Sequence, residues 1–193
     1  MLVHLKELMN SNTMYQKVWE SSCKNHRILY FQINPQDKGI DAHFHPFGED
    51  HAFVLAGELT YNVSFERQIK AKENSLVFGW TNYVHGYQND SDQPLHILVF
   101  ATPENNLSIY EKNKLSMQNF INIRTLDSSI TFDEISSERI IFSTFPPKDL
   151  SDTVMIHLES KKLIELPNKM ETKGHALYIT FHLVEKPCSY LIK

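Results

Sequence analysis

Residues 39–57 read GIDAHFHPFGEDHAFVLAG. His43 and His45 stand two apart in a run that reads as a strand or strand edge. On a strand, residues i and i+2 project from one face. Two imidazoles can therefore aim at one point. His85, forty residues on, can reach that point from a facing strand. An all-β protein builds a metal site in this way.

Working outward, the chain from about residue 15 to 101 breaks into short strand-like runs. Arg27–Asn34 (RILYFQIN) is aromatic and β-branched, and Pro35 stops it. His51–Ala56 (HAFVLA) ends at Gly57, a good turn residue. Glu58–Glu66 alternates, with Leu59, Tyr61, Val63 and Phe65 on one face. Ser75–Gly79, His85–Asn89 and Leu95–Ala101 follow, with polar turns at Lys72–Asn74 and Asp90–Gln93. Short strands with turn signals between them predict an all-β sandwich or small barrel. From Pro103 to about Phe132 a partial helical stripe (Leu107, Tyr110, Leu115, Asn119) predicts a linker or short helix. Strand-like runs return after Ile135, at Arg139–Phe145, Thr153–Leu158, Lys162–Leu166 and Ala176–Val184. The division is thus 1–105 barrel, 106–135 linker with a short helix, and 136–193 a β-rich C-terminal segment. A faint repeat at a shift of 124 lays His175-Ala-Leu-Tyr-Ile over His51-Ala-Phe-Val-Leu and Thr153–His157 over Leu29–Ile33. It puts Pro167 and Lys169 where His43 and His45 stand. The C-terminal segment then reads as a degenerate or partial second barrel, or as a dimerisation element. Chance similarity between two β-rich runs explains the repeat equally well.

The bulk properties set limits. The chain has 193 residues, 22% of them charged and 41% hydrophobic, which suits a packed globular fold. A net charge of −4 with scattered lysines offers no footprint for nucleic acid. No apolar run is long enough to cross a bilayer as a helix. The charged start MLVHLKEL lacks the apolar centre of an export signal, and Cys23 and Cys188 suggest no disulfide scaffold. A cytoplasmic location is the expectation.

Residues 39–57 resemble the first motif of the cupin family: a glycine, His-x-His, a carboxylate a few residues on, and a closing glycine. Residues 75–100 (SLVFGWTNYVHGYQNDSDQPLHILVF) resemble the second, whose core is His85 and Asn89. The resemblance covers about half the chain, with its two parts in order. It implies a small antiparallel barrel (the double-stranded β-helix or jelly roll) with a divalent metal inside. The implied ligands are His43, His45, His85 and one carboxylate. Counting forward from His45 allows Glu49 or Asp50. Counting back from Gly57 favours Asp50, with Glu49 as the alternative. The chain departs from the pattern in three ways. Gly39 lies closer to the pair than usual, Trp80 stands where proline is common, and Asn82 where glycine is common. Asp50 is also shorter than the family's usual Glu.

Three neutral imidazoles and a carboxylate suit Fe, Mn, Ni, Cu or Zn and are too nitrogen-rich for Ca or Mg. On a six-coordinate metal they leave two positions for a ligand. A lone histidine in a β-run is more often packing or surface, and the specificity lies in the constellation. His51 should point away from Asp50, toward the surface. His96 either faces inward, where it would touch a ligand, or lies at an edge. Phe31, Tyr61, Trp80 and Tyr83 complete the expected ligand pocket, and Asn89 reads as a turn former.

The expected function is a metal-binding cupin holding a small organic ligand, acting as a dioxygenase or isomerase. The alternative is a non-catalytic sensor like the effector-binding barrels of some transcription regulators. A strand-like C-terminal segment, with no helix-turn-helix signal, counts against a self-contained regulator. A homodimer is expected, because exposed strand edges invite pairing.

Overall fold

A computed structural model describes residues 1–21, 26–110, 123–126, 131–166 and 174–182. The strands are β1 (Leu2–His4), β2 (Tyr15–Glu20), β3 (Arg27–Ile33), β4 (Asp37–His43), β5 (Asp50–Ala56), β6 (Glu58–Asn62), β7 (Gln68–Lys72) and β8 (Ser75–Val77). They continue with β9 (His85–Asn89), β10 (Leu95–Ala101), β11 (Ile123–Thr125), β12 (Ile135–Ser136), β13 (Ile140–Ser143), β14 (Thr153–His157), β15 (Lys162–Glu165) and β16 (Ala176–Phe181). A five-residue helix, α1 (Leu5–Met9), follows β1. The expected helix in 106–135 lies largely outside the described residues, and the described part includes β11.

Three antiparallel sheets result. Sheet I runs β11-β8-β5-β10-β3-β2, sheet II runs β4-β9-β6-β7, and sheet III runs β1-β15-β14-β16-β13-β12. Sheets I and II form the barrel. Strand alternation divides its side chains cleanly. From sheet I, Ile33, Ala52, Val54, Leu95, Ile97 and Val99 turn inward onto Leu59, Tyr61, Ala71 and Tyr87 of sheet II. Gly57 turns the chain from β5 to β6 at φ +88°. A side chain there is disfavoured by that φ, and its Cβ would sit 2.8 Å from the Pro94 carbonyl oxygen.

The outward face of sheet I is also buried. Phe53, Leu55, Leu98 and Phe100 share one cluster with Phe142, Val154, Ile156, Leu163, Leu177 and Ile179 of sheet III. The C-terminal strands therefore cover the barrel wall, and β1 joins their sheet by pairing with β15. The two halves of the faint repeat are placed differently. In sheet I, β10 separates β3 from β5, whereas β14 and β16 pair directly. Pro167 and Lys169 lie outside the described residues.

Phe142 is fully buried, and its ring lies 5.6 Å from Phe78 and 5.5 Å from Phe100. Phe142→Ala should cost about 3–5 kcal/mol. One core spanning both sheets should also keep urea unfolding a single transition, with a lower midpoint. A variant in which only part of the signal shifts would show that sheet III unfolds apart from the barrel.

Candidate metal centre

β4 pairs with β9 through two register shifts, and these end with His43 directly opposite His85. Bulges of this kind re-aim side chains near the rim of a barrel. β4 stops at His43, but the extended geometry continues. Phe44 and Ile109 exchange backbone hydrogen bonds of 3.1 and 2.9 Å. His45 therefore keeps the i, i+2 relation to His43. Ring centroids lie 4.9 Å apart for His43–His45, 4.5 Å for His43–His85 and 5.0 Å for His45–His85.

Alternation along β5 separates the two candidate carboxylates. Asp50 shares the inward phase of Ala52 and Val54. One ligand atom each from His43, His45, Asp50 and His85 lies within 4.8 Å of every other. Glu49 and His51 share the opposite phase and enter the layer between sheets I and III. There the Glu49 carboxylate accepts from His51 Nε2 at 3.2 Å and from Ser137 Oγ at 2.8 Å. Burial pushes the Glu49 carboxyl up, but His51, Ser137 and Arg139 outweigh it and hold it below its usual value. Glu49 is thus a tie between barrel and C-terminal sheet. His51 does turn away from Asp50, but it is fully buried and not at the surface, enclosed by Phe78, Trp80 and Phe142. Sheet III covers the face that alternation marks as outer.

The imidazoles are oriented by their far nitrogens. His43 Nδ1 donates to the Asp41 carbonyl at 2.7 Å, His45 Nδ1 to the Leu107 carbonyl at 2.9 Å, and His85 Nδ1 to the Tyr83 carbonyl at 3.0 Å. A carbonyl only accepts, so each ring carries a proton on Nδ1 and turns its Nε2 inward. This is how metal-ligating histidines are held. Among the described residues, His85 Nε2 is buried with no hydrogen-bond partner, a costly state that a cation would relieve. His45 Nε2 faces Asp50 Oδ2 at 3.1 Å.

Without a cation the charges sort accordingly. Burial pushes His85 down to about 3, and the neighbouring His43 acts in the same direction. Burial also lowers His43. Burial would lower His45 too, but the Asp50 hydrogen bond and charge outweigh it and raise the group. Burial raises the Asp50 carboxyl, yet His45, His85 and Asn105 together bring it below its usual value. With the His45 Nε2 proton displaced on binding, three imidazole nitrogens and a carboxylate oxygen would make an N3O donor set, which fits a divalent transition metal.

The expected pocket residues disperse. Tyr61 lies inside the barrel, stacked on Tyr87 at 5.8 Å, and its buried hydroxyl has no hydrogen-bond partner among the described residues. Phe31 packs on the inner cluster and meets Tyr15 at 5.1 Å. Tyr83 supplies the carbonyl for His85. Trp80 stacks on Phe78 at 5.1 Å, against the core shared with sheet III. His96 Nδ1 contacts the Tyr30 hydroxyl at 2.7 Å, on the wall opposite the inner cluster. Asn89 bridges the Ile33 and Gln93 carbonyls and accepts from Ser91, as a turn former does.

Sequence reasoning missed the segment 103–110. It supplies the Leu107 carbonyl, the Ile109 bridge, Asn105 against Asp50 and Tyr110 at 5.3 Å from His43. No spacing rule ties these positions to the motifs.

Residues 29–101 match the family profile described as Cupin domain. This chain carries a cupin domain. Its fold is shared along nearly the whole length by a cupin 2 conserved barrel domain protein from Leptotrichia buccalis. That structure covers 94% of this chain and 96% of its own, at 10% identity and a TM-score of 0.58. An uncharacterized conserved protein with a double-stranded β-helix domain from Klebsiella pneumoniae covers 51% of this chain and 84% of its own. Its identity is 23% and its TM-score 0.42. The polyketide cyclase RemF from Streptomyces resistomycificus covers 53% and 72%, at 20% identity and a TM-score of 0.43. No curated protein matches the chain. Among the described residues, no helix is long and apolar enough to cross a membrane. The donors of the candidate centre all belong to the cupin stretch, while the segment that orients two of them follows it.

Proposed function

We propose that this cupin binds a divalent transition metal (Fe, Mn, Ni or Zn) and, at that metal, a small organic ligand. The reaction class would be a dioxygenase or an isomerase. The observation behind this reading is the convergence of three imidazole nitrogens and one Asp50 oxygen, each ring fixed by a backbone carbonyl. His43, His45, Asp50 and His85 would hold the ion. When bound, it would supply Lewis-acid activation at positions left open to oxygen donors.

The chain's own residues would shape what reaches that position. The Asp50 side chain is 15% exposed, so the centre has contact with solvent. Phe47, Leu107 and Tyr110 are exposed on the segments that carry or orient the ligands. They give the rim apolar surface suited to the carbon skeleton of a ligand. Burial holds the Tyr61 and Tyr87 hydroxyls well above their ordinary pKa. They would stay neutral, as hydrogen-bond donors and not bases. Tyr87 already donates to the Asp50 carbonyl at 2.9 Å, so of the two Tyr61 is the one without a partner among the described residues. Among the described residues β2 ends sheet I, and its outer edge is where a homodimer would pair.

Elemental analysis of protein purified without a metal-binding tag tests the reading. About one transition-metal ion per chain is expected. Asp50→Ala should lose more than the roughly 10–100-fold in affinity typical of outer partners, and Glu49→Ala should retain the ion. Retention in Asp50→Ala with loss in Glu49→Ala would reverse the carboxylate assignment.

A further inference from the structure

Asp50 is an unusually short carboxylate ligand for this motif, and something must aim it. Its Oδ2 faces His45 Nε2. Its Oδ1 accepts a hydrogen bond from Asn105 Nδ2 at 2.6 Å. The Asn105 amide is in turn held from its oxygen, by Arg27 Nη2 at 2.7 Å. The relay therefore runs from a guanidinium through an amide to the carboxylate. Arg27 fixes which end of the amide faces Asp50, because a guanidinium only donates. Its charge also polarises the amide, which strengthens the second bond. Arg27 lies before the cupin stretch of residues 29–101 and Asn105 after it.

The backbone is built for this approach. Gly48 precedes the two acids, and a Cβ there would lie 2.6 Å from the Asn105 Cα and 2.8 Å from its Cβ. Only a residue without a side chain lets the segment pass so close to Asp50. Glu104 takes φ +67° immediately before Asn105, an uncommon conformation for a non-glycine residue. It is held by Arg139 Nη2 at 3.3 Å.

We infer that Asn105, oriented by Arg27, is a positioning residue that locks the Asp50 carboxylate so that Oδ2 points at the cation. The inference rests on the metal reading above. With Oδ1 engaged by Asn105, the carboxylate cannot rotate freely about χ2, and one oxygen is kept for the site. A longer Glu would reach the centre with less help, so the relay compensates for the missing methylene.

Co(II) is the probe. Its dissociation constant is measured anaerobically at neutral pH by competition with a chromophoric chelator, alongside its d–d spectrum. The proteins are wild type, Asn105→Ala, Asn105→Leu (similar volume, no donor), Arg27→Ala and the Arg27→Ala/Asn105→Ala double variant. Thermal melting of the metal-free proteins is followed separately. Both Asn105 variants should bind Co(II) about 10–100-fold more weakly, the usual cost of removing an outer partner, with an altered d–d spectrum. Arg27→Ala should weaken binding less, and the double variant no more than Asn105→Ala alone, because both act through one bond. A purely structural role would lower the melting temperature and leave the spectrum unchanged. Folded Asn105 variants with wild-type affinity and spectrum would overturn the positioning role while leaving the metal centre standing. Should Asn105→Ala and Asn105→Leu both fail to fold, Arg27→Ala decides on the same readouts. Wild-type protein that takes up no Co(II) would overturn the metal reading and this inference with it.

Discussion

Adding Mn(II) or Co(II) to chelator-treated protein should raise its melting temperature by several degrees. The His43→Ala/His45→Ala variant should show no rise. A ligand that binds only the folded state stabilises it by about 2.7 kcal/mol at a hundred times its dissociation constant. For a chain of this size each kcal/mol moves the midpoint by about 2–4 °C, so the rise is about 5–11 °C. The donors converge only when β4 and β9 are paired with His43 opposite His85. An unfolded chain does not bring His43 and His85 together in this way, and the linkage is to folding itself. Removing His43 and His45 takes away half the donors and leaves Asp50 and His85, too few to compete with water. The variant should still fold, because the inner cluster beneath the site, from Ile33 to Val99, contains neither ring. An equal rise in both proteins would mean that the ion binds elsewhere, and the centre described above would fall.

The sequence carried the site's inner ring and little of its surroundings. His43 and His45 follow from strand geometry, because i, i+2 spacing is a local fact, whereas His85 needs a facing strand, which the second motif suggested and the register-shifted β4–β9 pairing supplies. Asp50 over Glu49 came from the cupin motif's usual spacing back from Gly57, and the structure groups Asp50, not Glu49, with the three histidines. Alternation also aimed His51 correctly but could not say what it would meet. The missing partner is the C-terminal part of sheet III, where Phe142 stands about ninety residues on in sequence. One signal was present. Leu95–Ala101 is buried at every position, and β5 at all but its ends. Such unbroken apolar runs mark strands covered on both faces, so LHILVFA and HAFVLA already implied a second layer. Trp80 misled through proximity in sequence to His85, because the turn between them swings its ring to the other wall. Asn105 and Leu107 act through bonds to residues 55 and 62 positions away. Their composition carries no trace of that, and only the fold shows it.

The metal-free protein should lose stability steeply below pH 6.5, and His85→Gln should flatten that loss. His85 falls from 6.5 to about 3 because burial disfavours its charged form and His43 adds repulsion. A base with a depressed pKa contributes stability above its unfolded value of 6.5. It loses that stability as pH falls toward the folded value, because the unfolded chain takes up the proton first. Each tenfold change in proton affinity between the folded and unfolded chain is worth about 1.36 kcal/mol. A fall from 6.5 to about 3 therefore amounts to roughly 5 kcal/mol at the acid end. His43 is lowered by burial and acts with the same sign. Asp50 is lowered as well, and its contribution disappears only below 3.8 as pH passes through its folded value. His45 runs the other way. Its pKa is raised, so its contribution is complete below 6.5 and fades above that as pH climbs through the folded value. The balance places greatest stability of the metal-free form near pH 6.5, with the steeper side toward acid. Urea unfolding in chelator at pH 6.5, 5.5 and 4.5 reads the effect directly. Wild type should lose about 1.4 kcal/mol per pH unit more than His85→Gln, the slope for one proton. Gln retains an amide that can reach the Tyr83 carbonyl, so the comparison isolates the titrating nitrogen from the hydrogen bond that holds the ring. Parallel curves for the two proteins would mean that His85 Nε2 is not enclosed, and the orphaned lone pair that argues for a cation would not exist.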